Sequence, residues 1–141
     1  MAVFSTTIDI DAPPARVWQV MSDVERWHEW TPSITSIQRP DREPFGLGSR
    51  ALVRQPKLPA NYFKVTEFEP GRVFTWVSKS PGVVAAGRHL IEPRDGGSRA
   101  TLSVTFGGLF GWFVARLVGG LTERYIRMEA EGLKRRSEDR R

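Results

Sequence analysis

Residues 98–136 read SRATLSVTFGGLFGWFVARLVGGLTERYIRMEAEGLKRR, and this stretch decides the fold class because its hydrophobic period changes in the middle. Before the first pair of glycines, Leu102, Val104 and Phe106 alternate with small polar residues, which is typical of a β-strand. After them, apolar residues recur every three or four positions, which indicates an amphipathic helix. The predicted helical stripe consists of Phe110, Val114, Leu117, Val118, Leu121, Tyr125 and Met128. The chain therefore passes from a strand into a helix that we expect to run to about Arg136.

The segments before this stretch read mostly as strands joined by short turns. Alternating patterns predict strands at residues 3–10, 34–38, 49–54, 61–68, 72–78, 83–92 and 98–106, and helical spacing predicts short helices at 13–22 and 23–32. Strands joined by short turns pair antiparallel, and the last helix is the only element long enough to cover one face of such a sheet. The order β-α-α-β6-α predicts an α+β fold of seven strands and a long C-terminal helix. We expect a single domain over residues 1–136 and a charged tail over 137–141.

Composition excludes several classes of protein. Hydrophobic residues make up 40% of the chain and charged residues 26%, as in an ordinary soluble domain, and the absence of cysteine excludes disulfides and thiolate chemistry. The N-terminus has no secretory pattern, and no stretch reaches the roughly 18 apolar residues of a membrane span, so we expect a cytoplasmic location. The net charge is +5, and residues 134–141 hold five basic and two acidic residues. Since the body is only weakly basic, no specific nucleic-acid partner is expected, and the tail is the candidate for a weak contact with an anionic surface.

Three segments resemble the polyketide cyclase/dehydrase-like branch of the START-related (SRPBCC) superfamily. They are DAPPARVWQVMSDVERWHEWTPSI at 11–34, VTEFEPGRVFTW at 65–76 and HLIEPRDGGS at 89–98. The first carries the Ala-Pro helix start, followed by Trp27 and Trp30 ahead of Pro32. The resemblance implies the helix-grip fold of the birch-pollen-allergen type, in which a curved sheet wraps the C-terminal helix around an internal apolar cavity.

The candidate ligand-binding residues are those expected on the inner faces of the strands and the helices. They are Trp30, Ile34, Phe63, Phe74, Trp76, His89, Ile91, Val104, Phe106, Arg116, Leu117 and Leu121. His89 has the same parity as Ile91 and could act as an acid or base, as could Tyr62. Arg116 is the only charge in the apolar start of the long helix and could anchor an acidic head group. The same residue types also build a filled core, so the sequence leaves open whether a void exists.

The superfamily includes carriers, enzymes and receptors, so the fold does not select a function. The leading hypothesis is binding or transport of an apolar small molecule, such as a lipid, a fatty acid or a polyketide-like ring, rather than catalysis. The alternative is an enzyme of the polyketide aromatase/cyclase type, and a second alternative is an interaction protein that contacts RNA, ribosome or membrane. No cofactor is expected because no Gly-rich phosphate cradle is present, and no metal site because the two histidines lack ligand spacing. The sequence also leaves open that the chain forms a homodimer.

Overall fold

The structure is a computed structural model that describes residues 2–139. Its elements are β1 (Ala2–Ile10), α1 (Pro14–Ser22), a 3-10 helix (Val24–Glu29), β2 (Ser36–Gln38), β3 (Arg50–Arg54), β4 (Asn61–Glu69), β5 (Val73–Ser80), β6 (Val83–Arg94), β7 (Gly97–Gly107) and α2 (Gly111–Glu138). This is the predicted α+β order of one strand, two short helices, six strands and one long helix. The predicted fold class is confirmed.

The seven strands form one antiparallel sheet in the order β1-β7-β6-β5-β4-β3-β2. Consecutive strands from β2 to β7 are neighbours, and β1 closes the other edge by pairing with β7. A bulge between Val65 and Glu67 interrupts the register of β4 with β5, and such a bulge bends a sheet. Gly82 and Gly96 have positive φ angles of 77° and 78° in the tight turns of the β5–β6 and β6–β7 hairpins. The result is a curved sheet with a concave face.

The two short helices cover one end of this concave face. Pro14 occupies the first turn of α1, where its missing N–H costs no hydrogen bond. Val17 and Met21 are buried on the inner side of α1. The Trp27 indole N–H donates a 2.9 Å hydrogen bond to the Met21 carbonyl, which joins the 3-10 helix to α1. Trp27 is thereby held as a fully buried side chain beneath the sheet.

The first half of the inner face of α2 is built from small residues, and this differs in part from the stripe predicted from the sequence. Its buried positions are Gly111, Ala115, Gly119, Thr122, Tyr125, Ile126, Glu129, Ala130, Gly132, Leu133 and Ser137. A Cβ atom on Gly119 would lie 2.9 Å from the Phe4 ring, and one on Gly132 would lie 2.0 Å from the Trp30 carbonyl oxygen. Gly120 faces open space. Gly119 therefore serves the close approach of α2 to β1, whereas Gly120 does not.

The helix also extends slightly further than predicted. It continues to Glu138 rather than ending near residue 136, and Ser137 is buried. Residues 137 and 138, which the sequence analysis assigned to the tail, are thus part of α2. The last two residues of that tail, Arg140 and Arg141, lie outside the described residues.

Candidate ligand-binding site

A cavity of about 330 Å³ lies between α2 and the concave face of the sheet. Its lining consists of Trp27, Ile34, Val53, Gln55, Leu58, Pro59, Asn61, Phe63, Trp76, Ser78, Ser80, Val83, Ala85, Ala86, Gly87, His89, Leu102, Ser103, Val104, Phe106, Val114, Val118, Thr122, Tyr125, Ile126 and Glu129. Most of these side chains are apolar, and none is a lysine or an arginine. The lining reaches exposed positions at Pro59, before β4, and at Ser80, at the end of β5. These two places are the candidate entrances.

The cavity exists because small residues line the middle of the sheet. Ala85 and Gly87 on β6 lie in a row with His89 on the inner face. Gly87 pairs with Trp76 of β5, and a Cβ on Gly87 would lie only 3.2 Å from the Trp76 indole nitrogen. Larger side chains at these β6 positions would therefore occupy the space that the cavity now holds.

His89 is positioned by an aromatic cluster at the buried end of the site. Its ring stacks on Phe74 with centroids 4.2 Å apart and an interplanar angle of 15°. The Trp27 ring meets it edge-on at 5.3 Å. Burial lowers the pKa of His89 to about 4, although the hydrogen bond to the Phe74 carbonyl opposes this shift. The imidazole is thus neutral at physiological pH.

The hydrogen bond of His89 also fixes its tautomer. Its Nδ1 atom lies 3.2 Å from the Phe74 carbonyl oxygen. Since a carbonyl oxygen only accepts, Nδ1 must carry the proton and donate. The Nε2 atom of the neutral ring is then left as a hydrogen-bond acceptor.

Glu129 is the one acidic side chain in the lining, and it lies nearest to the C-terminal end of α2 among the lining residues of that helix. The residue is only 8% exposed. Within residues 2–139 its carboxyl group has no hydrogen-bond or ion-pair partner, and it faces the open space of the cavity. Burial raises the pKa of Glu129 to about 8, so the carboxyl is mostly protonated near neutral pH. A protonated carboxyl group offers one donor and one acceptor to whatever occupies the cavity.

Half of the predicted binding residues line the cavity and the other half do not. Those in the lining are Ile34, Phe63, Trp76, His89, Val104 and Phe106. Trp30, Phe74 and Ile91 are instead buried in the core, where side chains surround them on all sides. Arg116 and Leu117 are exposed, and Leu121 is half-buried, because α2 turns its small residues inward and these three outward or sideways. An acidic head group inside the cavity would therefore not meet Arg116.

The second candidate for proton transfer, Tyr62, lies outside the cavity. Its side chain is 53% exposed on β4, and its ring lies under the Arg50 guanidinium at 5.8 Å. The cavity does hold another tyrosine, Tyr125 of α2, whose hydroxyl donates to the Pro56 carbonyl. Tyr125 thus ties α2 to the loop between β3 and β4 at one candidate entrance.

The sequence analysis missed Glu129 altogether. The available signal was its position: Ile126, Ala130 and Leu133 are spaced at three and four residues around it, which places Glu129 at the border of a buried helical face. The larger apolar residues at 110–121 indicate a stripe that does not include Glu129. No group of His, Cys, Asp or Glu in residues 2–139 is arranged to hold a metal ion. No helix within that range has the length and apolar character needed to cross a membrane.

The fold and the cavity together define a helix-grip protein with an internal apolar site. The chain belongs to the family described as polyketide cyclase / dehydrase and lipid transport, whose model matches residues 1–138. Uncharacterized proteins of Mycobacterium bovis and Mycobacterium tuberculosis share 31% identity with it over 51 residues, which are 36% of this chain and 30% of theirs. The match thus spans less than a third of those relatives.

Solved structures agree with this fold at low sequence identity. A protein from Thermus thermophilus superimposes with a TM-score of 0.79 and 20% identity, over 96% of this chain and 97% of its own. The Zhui aromatase/cyclase from Streptomyces gives a TM-score of 0.78 and 16% identity, over 97% and 93%. Ara h 8.0201 gives 0.68 and 16%, over 94% and 97%. At these identities the likeness shows the fold alone.

Proposed function

We propose that this chain binds a small apolar molecule in the cavity between α2 and the sheet, as a carrier or a sequestering protein. The observation that supports this most directly is the cavity itself, which measures about 330 Å³ and has a mostly apolar lining. That volume lies at the lower end of the usual range for small-molecule sites. The family description, which includes lipid transport, agrees with this function.

The energetics favour a ligand with a small number of polar groups. Burial of roughly 300 Å² of apolar ligand surface contributes about 7 kcal/mol at about 25 cal/mol per Å². Immobilisation of the ligand costs at least about 4 kcal/mol of this gain. The remainder corresponds to weak binding, so one or two hydrogen bonds to polar lining residues decide whether the ligand is held tightly.

Uptake of the uncharged dye Nile red, with native mass spectrometry of the purified chain, tests this function. The dye should quench or shift the emission of Trp27 and Trp76, which both line the cavity. Ala85→Phe, which fills the cavity from β6, should abolish uptake, whereas Ala15→Phe, at an exposed position of α1 outside the lining, should not. If Ala85→Phe folds normally by circular dichroism and still takes up the dye, the dye binds elsewhere and the proposal is contradicted.

The alternative of an aromatase/cyclase-type enzyme is favoured by one observation. Glu129 and His89 line the same cavity, and burial moves the pKa of the first up to about 8 and of the second down to about 4. A neutral carboxyl can donate a proton and a neutral imidazole can accept one, which is the division of roles that proton transfer needs. Turnover of a poly-β-keto thioester that is lost in both Glu129→Gln and His89→Ala would establish this function in place of simple binding.

A further inference from the structure

We propose that the ligand of the cavity is an uncharged molecule whose hydroxyl or carbonyl oxygen meets Glu129, and that an anionic ligand of the same skeleton is rejected. This inference rests on the proposed binding function and names its ligand class. It narrows the class predicted from the sequence, because an ionised fatty acid no longer belongs to it.

The first argument is the charge of the lining. No lysine or arginine lies among the lining residues, and His89 is neutral because it is buried. An ionised carboxylate that entered the cavity would lose its hydration without gaining a cation, which is strongly unfavourable. Arg116, which the sequence analysis predicts as an anchor for an acidic head group, faces solvent instead.

The second argument is the unpartnered carboxyl group of Glu129. A buried polar group without a hydrogen bond is unfavourable, and in this cavity only a ligand or water can satisfy it. The protonated carboxyl donates to a neutral oxygen and can also accept from a hydroxyl. The indole N–H of Trp76 has no hydrogen-bond partner within residues 2–139 either, and it adds a second donor to the lining. Both groups supply a donor for a ligand oxygen, and the absence of a lysine or an arginine from the lining is what disfavours an oxygen with a formal negative charge.

A set of three ten-carbon ligands tests the inference: 1-decanol, decanoate and decylammonium. Displacement of Nile red at pH 7 should show decanol binding at least about tenfold more tightly than decanoate. Raising the pH to 9 should weaken the binding of 2-decanone, the ketone of the same length, to the wild-type chain, because an ionised Glu129 no longer donates to a carbonyl oxygen and a ketone cannot donate in return. Glu129→Gln should bind 2-decanone independently of pH, and Glu131→Gln, at an exposed position on the same helix, should behave like the wild type.

The outcomes separate this inference from the proposed function. If decanoate binds as tightly as decanol, or if decylammonium is the tightest ligand, the cavity binds ligands but its ligand is not uncharged, and the inference is overturned. If Nile red and all three ligands fail to bind, the proposed function itself fails. A pH dependence that persists in Glu129→Gln would assign the effect to another group and would also overturn the inference.

A separate observation concerns the outer surface of α2. Five large apolar residues are 50% to 77% exposed at and before the start of this helix, and we call them the α2 apolar patch. They are Leu109, Phe110, Trp112, Phe113 and Leu117. The residues on the opposite, buried side of the same turns are glycine and alanine, so the usual placement of large residues inside and small residues outside is reversed. An apolar patch of this extent on a protein surface marks an interaction site.

We infer that the α2 apolar patch docks on a lipid bilayer with anionic head groups. The charge of this region supports a bilayer as the partner, because the exposed Arg116 lies between Phe113 and Leu117 along the helix and residues 107–122 contain no acidic residue. The β5–β6 hairpin beside it carries the exposed Lys79, and its Gly82 carbonyl accepts a 2.8 Å hydrogen bond from the Phe110 N–H. Trp and Phe side chains with adjacent cations are typical of surfaces that insert into the membrane interface. The same hairpin carries Ser80, one candidate entrance, so docking would bring that entrance to the bilayer.

Co-sedimentation with vesicles tests this docking. The wild-type chain should bind phosphatidylcholine vesicles containing phosphatidylglycerol, and the double variant Trp112→Ser/Phe113→Ser should bind at least about tenfold more weakly. Leu47→Ser, an exposed apolar residue outside the patch, should bind like the wild type. Arg116→Gln should reduce the preference for the anionic vesicles. Absence of vesicle binding, or a wild-type dimer that the double variant converts to a monomer, would overturn the inference, the latter because a second copy would then cover the patch.

Discussion

The free energy of unfolding of this protein should decrease as the pH is raised from 6.5 to 8, and the ionisation of Glu129 should be the cause. Its pKa rises from an ordinary 4.5 to about 8 in the folded chain, so the folded state holds this proton more tightly than the unfolded state does. The contribution of Glu129 to stability is complete below about pH 4.5 and is lost as the pH rises through about 8. Each pH unit between these limits costs about 1.4 kcal/mol.

The contribution of His89 to stability depends on pH in the opposite direction. Its pKa falls from 6.5 to about 4 in the folded chain, so its contribution is complete above about pH 6.5 and is lost as the pH falls through about 4. The slopes of His89 and Glu129 oppose each other between about pH 4.5 and 6.5. Above pH 6.5 the His89 slope fades and the Glu129 slope dominates, until the latter is itself halved at about pH 8. The free energy of unfolding should therefore decrease by about 1–1.5 kcal/mol from pH 6.5 to pH 8.

Other carboxyl groups should not mask this effect. Four of them have pKa values below their ordinary range because hydrogen bonds stabilise their charged forms, and they stay ionised throughout the window. They are Glu29, Asp41, Glu67 and Glu138. The slope above pH 6.5 should therefore be assignable by a single substitution at Glu129.

Urea unfolding followed by circular dichroism at pH 6.5, 7.2 and 8.0 measures the slope. Glu129→Gln should flatten it and should raise the stability at pH 8 relative to the wild type. Glu131→Gln, on the exposed side of the same helix, should leave the slope unchanged. A wild-type chain whose stability is constant over this range, or a slope that survives in Glu129→Gln, would refute the reasoning.

Four further substitutions test the packing and the surface. Gly132→Ala should destabilise the fold by about 1–3 kcal/mol because the new Cβ would overlap the Trp30 carbonyl. Gly120→Ala, at a position that faces open space, should stabilise the helix by up to about 1 kcal/mol. The midpoints of urea unfolding measure both changes. Phe74→Ala should cost about 3–5 kcal/mol in the same assay, since the ring is fully buried, and a loss below 1 kcal/mol would contradict its place in the core. Asp9→Asn removes two exposed ion pairs with arginines and should change the stability by less than about 1 kcal/mol, with an even smaller effect at high salt.

The fold could be predicted from the sequence because each of its signals is local. The alternation before Gly107 and the helical spacing after it mark the change from β7 to α2, and the turn residues mark every hairpin. The face that α2 buries could not be read in the same way. Periodicity finds the stripe of large apolar residues, and in this helix that stripe includes Leu117 and other members of the exposed α2 apolar patch. The hydrophobic pattern therefore predicts the right element and only part of its buried face, since Val114, Val118 and Tyr125 of the stripe line the cavity whereas Phe110 and Leu117 are exposed.

The cavity itself follows from where α2 rests on the sheet. Gly119 lets the helix approach Phe4 of β1, and the contacts of α2 with the sheet concentrate on β1 and its neighbour β7. Because β1 and β7 form one edge of the sheet, a helix drawn toward that edge leaves the concave side of β3 to β6 uncovered. Side chains from Trp76 and Phe63 fill part of this space, and the small residues of β6 leave the rest empty. A Cβ at position 119 would lie 2.9 Å from the far end of the Phe4 ring, so a larger residue there requires either that this half-buried ring shift or that α2 move away from β1, and Gly119 thus supports the position of α2 near this edge that leaves the rest of the concave side open.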